Sequence, residues 1–243
     1  MALPMSSTPT YMLTIPSNGK EVKYRPFLVR EEKALMMAQQ SEDPMVMVNT
    51  LKDVVKSCVI GDFNAEELAT FDLEYIFTQL RAKSVGETVD LIFPCDVCVD
   101  NEKARVQISF DITKLQVEKP SGHENKISLF GDVGVVMKYP TMQVLKKLQN
   151  LDTSNLDDLF KVVAECIDYI YQGSELFYGK EQKQEELLEF LNNLTSEQFA
   201  KVQKFFETMP RLKQEVDYKC PVCGKEHHKV LEGLQSFFDE SLS

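Results

Sequence analysis

Cys220-Pro-Val-Cys223-Gly-Lys225 is the stretch around which this chain is organised, because it has one counterpart far upstream, Cys95-Asp-Val-Cys98. Zinc takes four soft ligands tetrahedrally, and two cysteines separated by two residues can aim both sulfurs at one ion from a tight turn. Between Cys98 and Cys220 lie 121 residues. One ion held by Cys95, Cys98, Cys220 and Cys223 would therefore tie the middle of the chain to its end.

The rest of the composition fits that reading. At 243 residues, 43% of them apolar and 27% charged, the chain has the make-up of a globular protein with a sizeable core. No apolar run approaches the roughly 18 residues of a membrane span, and nothing reads as a signal peptide. A formal charge of −11 opposes binding to a phosphate backbone. The six cysteines do not form a secreted disulfide pattern. Cys58 and Cys166 sit in apolar helical patterns and read as small buried hydrophobes. The remaining four are paired, as expected in a reducing cytoplasm.

Outward from the knuckles, both have strand-like flanks. Thr88-Val-Asp-Leu-Ile-Phe93 runs into the first, and Arg105-Val-Gln-Ile-Ser-Phe110 returns from it. Gln214 to Lys219 leads into the second, and Glu226-His-His-Lys-Val-Leu231 leads out. Ile127–Phe130 and Val133–Tyr139 suggest another hairpin around Gly131-Asp132. At the start of the chain, residues 1–10 read as a loose arm. Tyr11 to Ile15 and Glu21 to Arg25 then read as strands joined by Ser17-Asn-Gly-Lys20.

Helices are expected elsewhere. Arg30–Gln40 is one. Asp43-Pro44 starts a second, with an N-cap acid and proline at the first helical position. Asp72 opens a third carrying Leu73, Ile76, Phe77 and Leu80, which ends at Ser84-Val-Gly-Glu87. Beyond Thr141 the pattern predicts a short helix around Val144, Leu145 and Leu148. A longer one is capped by Asn155 and extends through Leu156, Phe160, Val163, Ile167 and Ile170. Another covers about 181–192. Thr195-Ser-Glu-Gln198 is a capping box opening the next, with Phe199, Val202, Phe205 and Phe206 read as core. Leu231–Phe238 suggests a short final helix.

For the four paired cysteines, structural zinc is favoured over redox use. A redox CxxC needs a helix N-terminus to activate its thiol, whereas both motifs here have strands on each side. Four thiolates also leave no open position for catalytic water. Iron in the same tetrahedron is the alternative metal. His227 and His228 could replace a cysteine, although one inward and one outward strand residue is the simpler reading. His123, in a Gly/Pro loop, is expected at the surface. No GxSxG, P-loop, GxGxxG or HExxH is present, and three histidines offer no acid–base pair, so no catalytic residue is assigned. The methionines, among them Met36, Met37, Met45 and Met47, suit an adaptable groove and a core equally.

Several segments also resemble a known family. Tyr24-Arg-Pro-Phe-Leu-Val-Arg-Glu-Glu-Lys33, Phe71-Asp-Leu-Glu-Tyr-Ile-Phe77 and Leu80-Arg-Ala-Lys-Ser-Val-Gly-Glu87 are similar to the baseplate hub proteins of T-even-like contractile-tailed bacteriophages. So is the end of the chain. Phe205-Phe-Glu-Thr-Met-Pro210, Cys220 through His227, and Leu231-Glu-Gly-Leu-Gln-Ser-Phe-Phe238 look like that family's C-terminal signature. The likeness covers about residues 20–110 and 195–240. It implies a part in building the baseplate hub, as hub subunit or as non-virion assembly factor, with no catalytic residues to carry over. The chain's length resembles the assembly-factor branch.

The expectation is an α+β protein with helical N- and C-terminal parts around a small antiparallel β region, clipped in zinc-ribbon fashion. The cuts fall at 1–84, 85–140 and 141–243. Its partners would be other phage hub or tail proteins met in the host cytoplasm, with no nucleic acid and no stable membrane insertion. The leading alternative is a zinc-ribbon nucleic-acid-binding protein, which would need a basic face around Lys219, Lys225 and Lys229. A thiol oxidoreductase is the third reading.

Overall fold

Ser17-Asn-Gly-Lys20 turns the chain as its composition demands. Gly19 adopts φ +70°, and its N–H closes onto the Ile15 carbonyl at 2.8 Å. From this hairpin the computed structural model, which describes residues 8–99, 101–147 and 155–234, can be followed in chain order. The first half contains β1 (Tyr11–Thr14), β2 (Glu21–Tyr24), α1 (Val29–Gln39), α2 (Pro44–Cys58), β3 (Val59–Ile60), α3 (Thr70–Ser84), β4 (Thr88–Pro94), β5 (Arg105–Asp111) and β6 (Val117–Glu118). There follow β7 (Lys126–Phe130), β8 (Val133–Met137), α4 (Met142–Lys147), α5 (Leu156–Glu165), β9 (Ile167–Gln172) and β10 (Glu175–Tyr178). The last elements are α6 (Gln184–Asn192), α7 (Ser196–Glu207), β11 (Arg211–Lys219) and β12 (Glu226–Glu232). The chain is α+β, and every strand pairing among the described residues is antiparallel.

Two compact units result. The first comprises 1–65, 71–118 and 211–243, the second 66–70 and 119–210. In the first, β1-β2-β3 form one sheet, β4-β5 a ribbon and β12-β11-β6 another sheet. Strands β4 and β11 alternate as half-buried strands do. Val89, Leu91 and Phe93 point inward from one, and Leu212 and Val216 from the other, to share a core with Ala82, Ile112, Leu115 and Leu231. The hairpin at the start is pinned to α3 by Asp72, whose carboxylate accepts the Ser17 N–H at 2.9 Å. Helix α3 begins at Thr70, two residues before the expected Asp72 start, and buries that aspartate completely. Cys58 lies buried at the end of α2, as its apolar surroundings require.

Glu31 sets the start of α1. Its carboxylate reaches back to the Leu28 N–H at 2.8 Å and also receives Arg25 at 2.9 Å and Arg30 at 2.8 Å. Burial alone would raise its pKa, but these donors bring it down to about 2.

In the second unit the sheet runs β10-β9-β8-β7. Leu129, Val135, Met137 and Ile167 from the sheet pack with Val163, Leu187, Leu191, Val202 and Phe205 from the helices. The capping box forms in both directions: the Thr195 N–H donates to Gln198 Oε1 (2.8 Å) and the Gln198 N–H donates to Thr195 Oγ1 (3.3 Å). Val202 and Phe205 are core, and Phe160 stacks on Phe199 at 4.6 Å.

Three expectations change here. The helix opened by Asn155 stops at Glu165 rather than continuing through Ile170, because Ile167-Asp-Tyr-Ile-Tyr-Gln172 is β-branched and aromatic and pairs as β9. It turns at Gly173, φ +58°, into β10, which the sequence reading missed. His123 is not at the surface. Only 7% exposed, it hydrogen-bonds Thr208 Oγ1 and the Tyr139 hydroxyl, each at 3.0 Å, and its ring lies 5.0 Å from Phe205. Burial, and then Lys119, hold its pKa below the ordinary histidine value. The helix expected over 231–238 does not begin as one, since Leu231 and Glu232 complete β12, and residues from 235 lie outside those described, as do Leu148 and residues 1–7.

Glu31→Gln is expected to lower stability at neutral pH by about 1–3 kcal/mol, the scale of lost charged hydrogen bonds. With a folded pKa below the ordinary 4.5, the carboxylate's contribution is complete above that value and is lost as pH falls toward about 2. Urea unfolding across this range should show a flatter acid limb for the variant. Gly134→Ala would drive a Cβ into the Ile127 carbonyl and the Tyr171 hydroxyl. It should destabilise the second unit by about 1–3 kcal/mol in the same assay.

Candidate metal centre

The first knuckle is the turn of the β4–β5 ribbon. Register runs to Pro94 opposite Arg105, after which the Cys95 N–H still bonds to the Ala104 carbonyl at 3.2 Å. Asn101 tightens the loop, donating to the Cys98 carbonyl at 3.0 Å while its side chain accepts the Lys103 N–H. The second knuckle caps the β11–β12 ribbon, where Lys219 faces Glu226. The Cys220 N–H meets the Lys225 carbonyl at 2.9 Å, and the Gly224 N–H returns to the Cys220 carbonyl at 3.0 Å. Gly224 takes φ +73°, a conformation that disfavours any side chain at that position.

The two ribbons are held tip to tip by contacts that do not involve sulfur. Lys225 Nζ bridges both Asp96 oxygens, at 3.0 and 2.8 Å. The Tyr218 hydroxyl donates to the Pro94 carbonyl at 2.9 Å, and its ring packs 5.2 Å from Phe93. Lys229 Nζ lies over the Phe93 ring at 5.6 Å. His227 stacks on Tyr218 at 4.8 Å with 13° between planes.

Within this clasp the sulfurs of Cys95, Cys98, Cys220 and Cys223 all lie within 4.8 Å of one another. Cys95 and Cys223 approach to 3.7 Å. Four sulfurs about 2.3 Å from one ion in a tetrahedron would stand about 3.8 Å apart, so the spacing suits a thiophilic cation. Cys95 and Cys220 are buried, Cys98 is partly so and Cys223 is exposed. The Cys223 and Val222 backbone N–H groups hold the Cys220 thiol down at about 7, while the neighbouring Cys223 thiol pushes Cys98 up to about 12.

The two histidines part company, with side chains 10% and 55% exposed for His227 and His228. His228 Nδ1 pairs with Asp217 at 2.8 Å. His227 turns in, its Nδ1 3.6 Å from Asp96 and its Nε2 buried without a hydrogen-bond partner. With Cys95 and Asp96 it forms a second grouping of donor atoms within 4.8 Å. The sequence reading missed Asp96, Lys225 and Tyr218 as clasp residues. Their adjacency to the CxxC motifs was the available signal, but nothing in sequence distinguishes a clamping lysine from a solvated one.

With this geometry in hand, the relation to known proteins is clear. The family model described as T4 bacteriophage base plate protein matches residues 8–239, and the chain belongs to that family. Among its relatives, the baseplate hub assembly protein gp26 of Enterobacteria phage T4 is 23% identical over 230 residues, covering 94% of this chain and 98% of that one. No solved structure matches the chain.

Reduced protein titrated with Co2+ is expected to develop the charge-transfer and d–d bands of a tetrahedral tetrathiolate at one equivalent. Cys220→Ser should lose those bands and melt at a lower temperature, because structural metal contributes folding free energy. Unchanged spectra and melting in the variant would exclude these four sulfurs as the ligand set.

Proposed function

We propose that the chain acts in assembling the central hub of a contractile phage baseplate, as a non-enzymatic assembly factor whose partners are other baseplate hub or tail proteins. One structural zinc on Cys95, Cys98, Cys220 and Cys223 would stabilise its first unit. The observation that carries the role is the end-to-end correspondence with the T4 hub assembly protein, which leaves little of either chain unmatched. The clustered sulfurs support the metal, and zinc is preferred to iron because no feature of the chain calls for electron transfer. Assembly would take place in the host cytoplasm before the baseplate is complete.

The nucleic-acid reading is less well supported. Around the knuckles, Lys225 is engaged by Asp96 and Lys229 lies over Phe93, while the chain as a whole carries −11. A thiol oxidoreductase is opposed by position, since both CxxC pairs sit at ribbon tips rather than at helix N-termini.

Mass spectrometry of mature virions beside infected-cell lysate separates the two hub roles. An assembly factor is expected in lysate, complexed with baseplate proteins, and absent from virions. Stoichiometric recovery from virions would instead make it a hub subunit.

A further inference from the structure

The sheet of the second unit ends on β10, and no strand among the described residues pairs beyond it. In an antiparallel ladder every second residue turns its N–H and C=O away from its neighbour, so an open edge offers those groups to an incoming strand. Natural edges are commonly blunted by proline, lysine or an inward charge. This one reads Glu175-Leu-Phe-Tyr178, with Leu176 48%, Phe177 40% and Tyr178 39% exposed.

The side chains give a second, independent signal. Phe177 stands opposite Ile170 in register. Together with Phe130, Val133, Leu187 and Phe190 they line an open cavity of about 360 Å³. Apolar surface of the sheet, out to β10, is thus left open beside α6, with room for a large side chain. Charge selects what could fill it. Glu175, Glu181, Glu185, Glu186 and Glu189 stand against Lys180 and Lys183 along this stretch. Glu186 borders the cavity, and Lys180 lies over the Tyr178 ring at 5.7 Å. A second copy of the chain would bring this acidic rim against itself.

We infer that β10 and its cavity form a strand-addition site for an extended segment of another protein, with one aromatic or large aliphatic anchor and lysine or arginine at its flanks. Backbone pairing would supply affinity and the anchor and charges specificity. The site stands independently of the hub-assembly reading and of the metal.

The test uses a short labelled peptide of alternating lysine and valine with a central phenylalanine, and a twin with glutamate in place of lysine. Fluorescence anisotropy on the full chain is expected to show saturable binding of the lysine peptide and at least about tenfold weaker binding of the twin, roughly 1.4 kcal/mol. Phe177→Ser should weaken the lysine peptide by a similar factor. The double variant Glu175→Lys, Glu181→Lys, which alters only rim charge, should reverse the preference between peptides. Hydrogen exchange should slow in β10 when the lysine peptide binds. Equal affinity for the two peptides, or unchanged exchange in β10, would overturn the proposal. So would a dimer in sedimentation that Phe177→Ser dissolves, since the edge would then be occupied by a second copy.

Discussion

Four sulfurs within 4.8 Å of one another are the constraint on which the first unit turns. Ionised thiols at that distance repel strongly where water is excluded, so the cluster demands either protons or a cation. Contacts that do not involve sulfur also hold this site together. The Lys225–Asp96 pair and the Tyr218–Pro94 hydrogen bond already hold the ribbons together. Beneath them Leu91, Phe93, Val216 and Leu231 form one core from both ribbons. Each contact is modest by itself, but they act at the same place. Closing a loop of more than a hundred residues costs only about 0.6 kcal/mol more than closing one half as long, so the long separation is no obstacle.

The second unit is built on different terms. Its longest segment, 119–210, lies between β6 and β11, which pair through Val117 with Leu212 and Glu118 with Arg211. Its core is its own, formed where helices α5, α6 and α7 cover one face of the sheet. His123 shows how that core recruits polar groups. A histidine from a Gly/Pro loop is taken inside because a threonine and a tyrosine satisfy both ring nitrogens, which removes the penalty for burying them.

Membership of the phage base plate family and this division of labour agree with a protein that works through its surfaces. Met36, Met37 and Val29 are exposed on α1, while no strand among the described residues pairs with the outer edge of β10 on the second unit. The cysteine cluster, by contrast, stands at the tips of two ribbons that also hold each other through Lys225 with Asp96 and Tyr218 with Pro94.

Much of this was legible in the sequence because it depends on neighbours a few residues apart. The Asp43-Pro44 start, the Thr195 capping box, the CxxC hairpins and the Gly131 turn are local stereochemistry, and they appear where their residues predict. Tertiary structure decided the rest. Ile167 to Ile170 suits a helix by spacing and a strand by side-chain type, and pairing with β8 and β10 settled it as strand. The burial of His123 required partners 16 and 85 residues away. The Asp96–Lys225 clamp joins residues 129 apart, and no local pattern encodes that contact. The CxxC spacing by itself determined that each pair could share an ion. That all four sulfurs meet was decided by the packing of Phe93, Tyr218 and Leu231, because only a common core brings the two ribbon tips together.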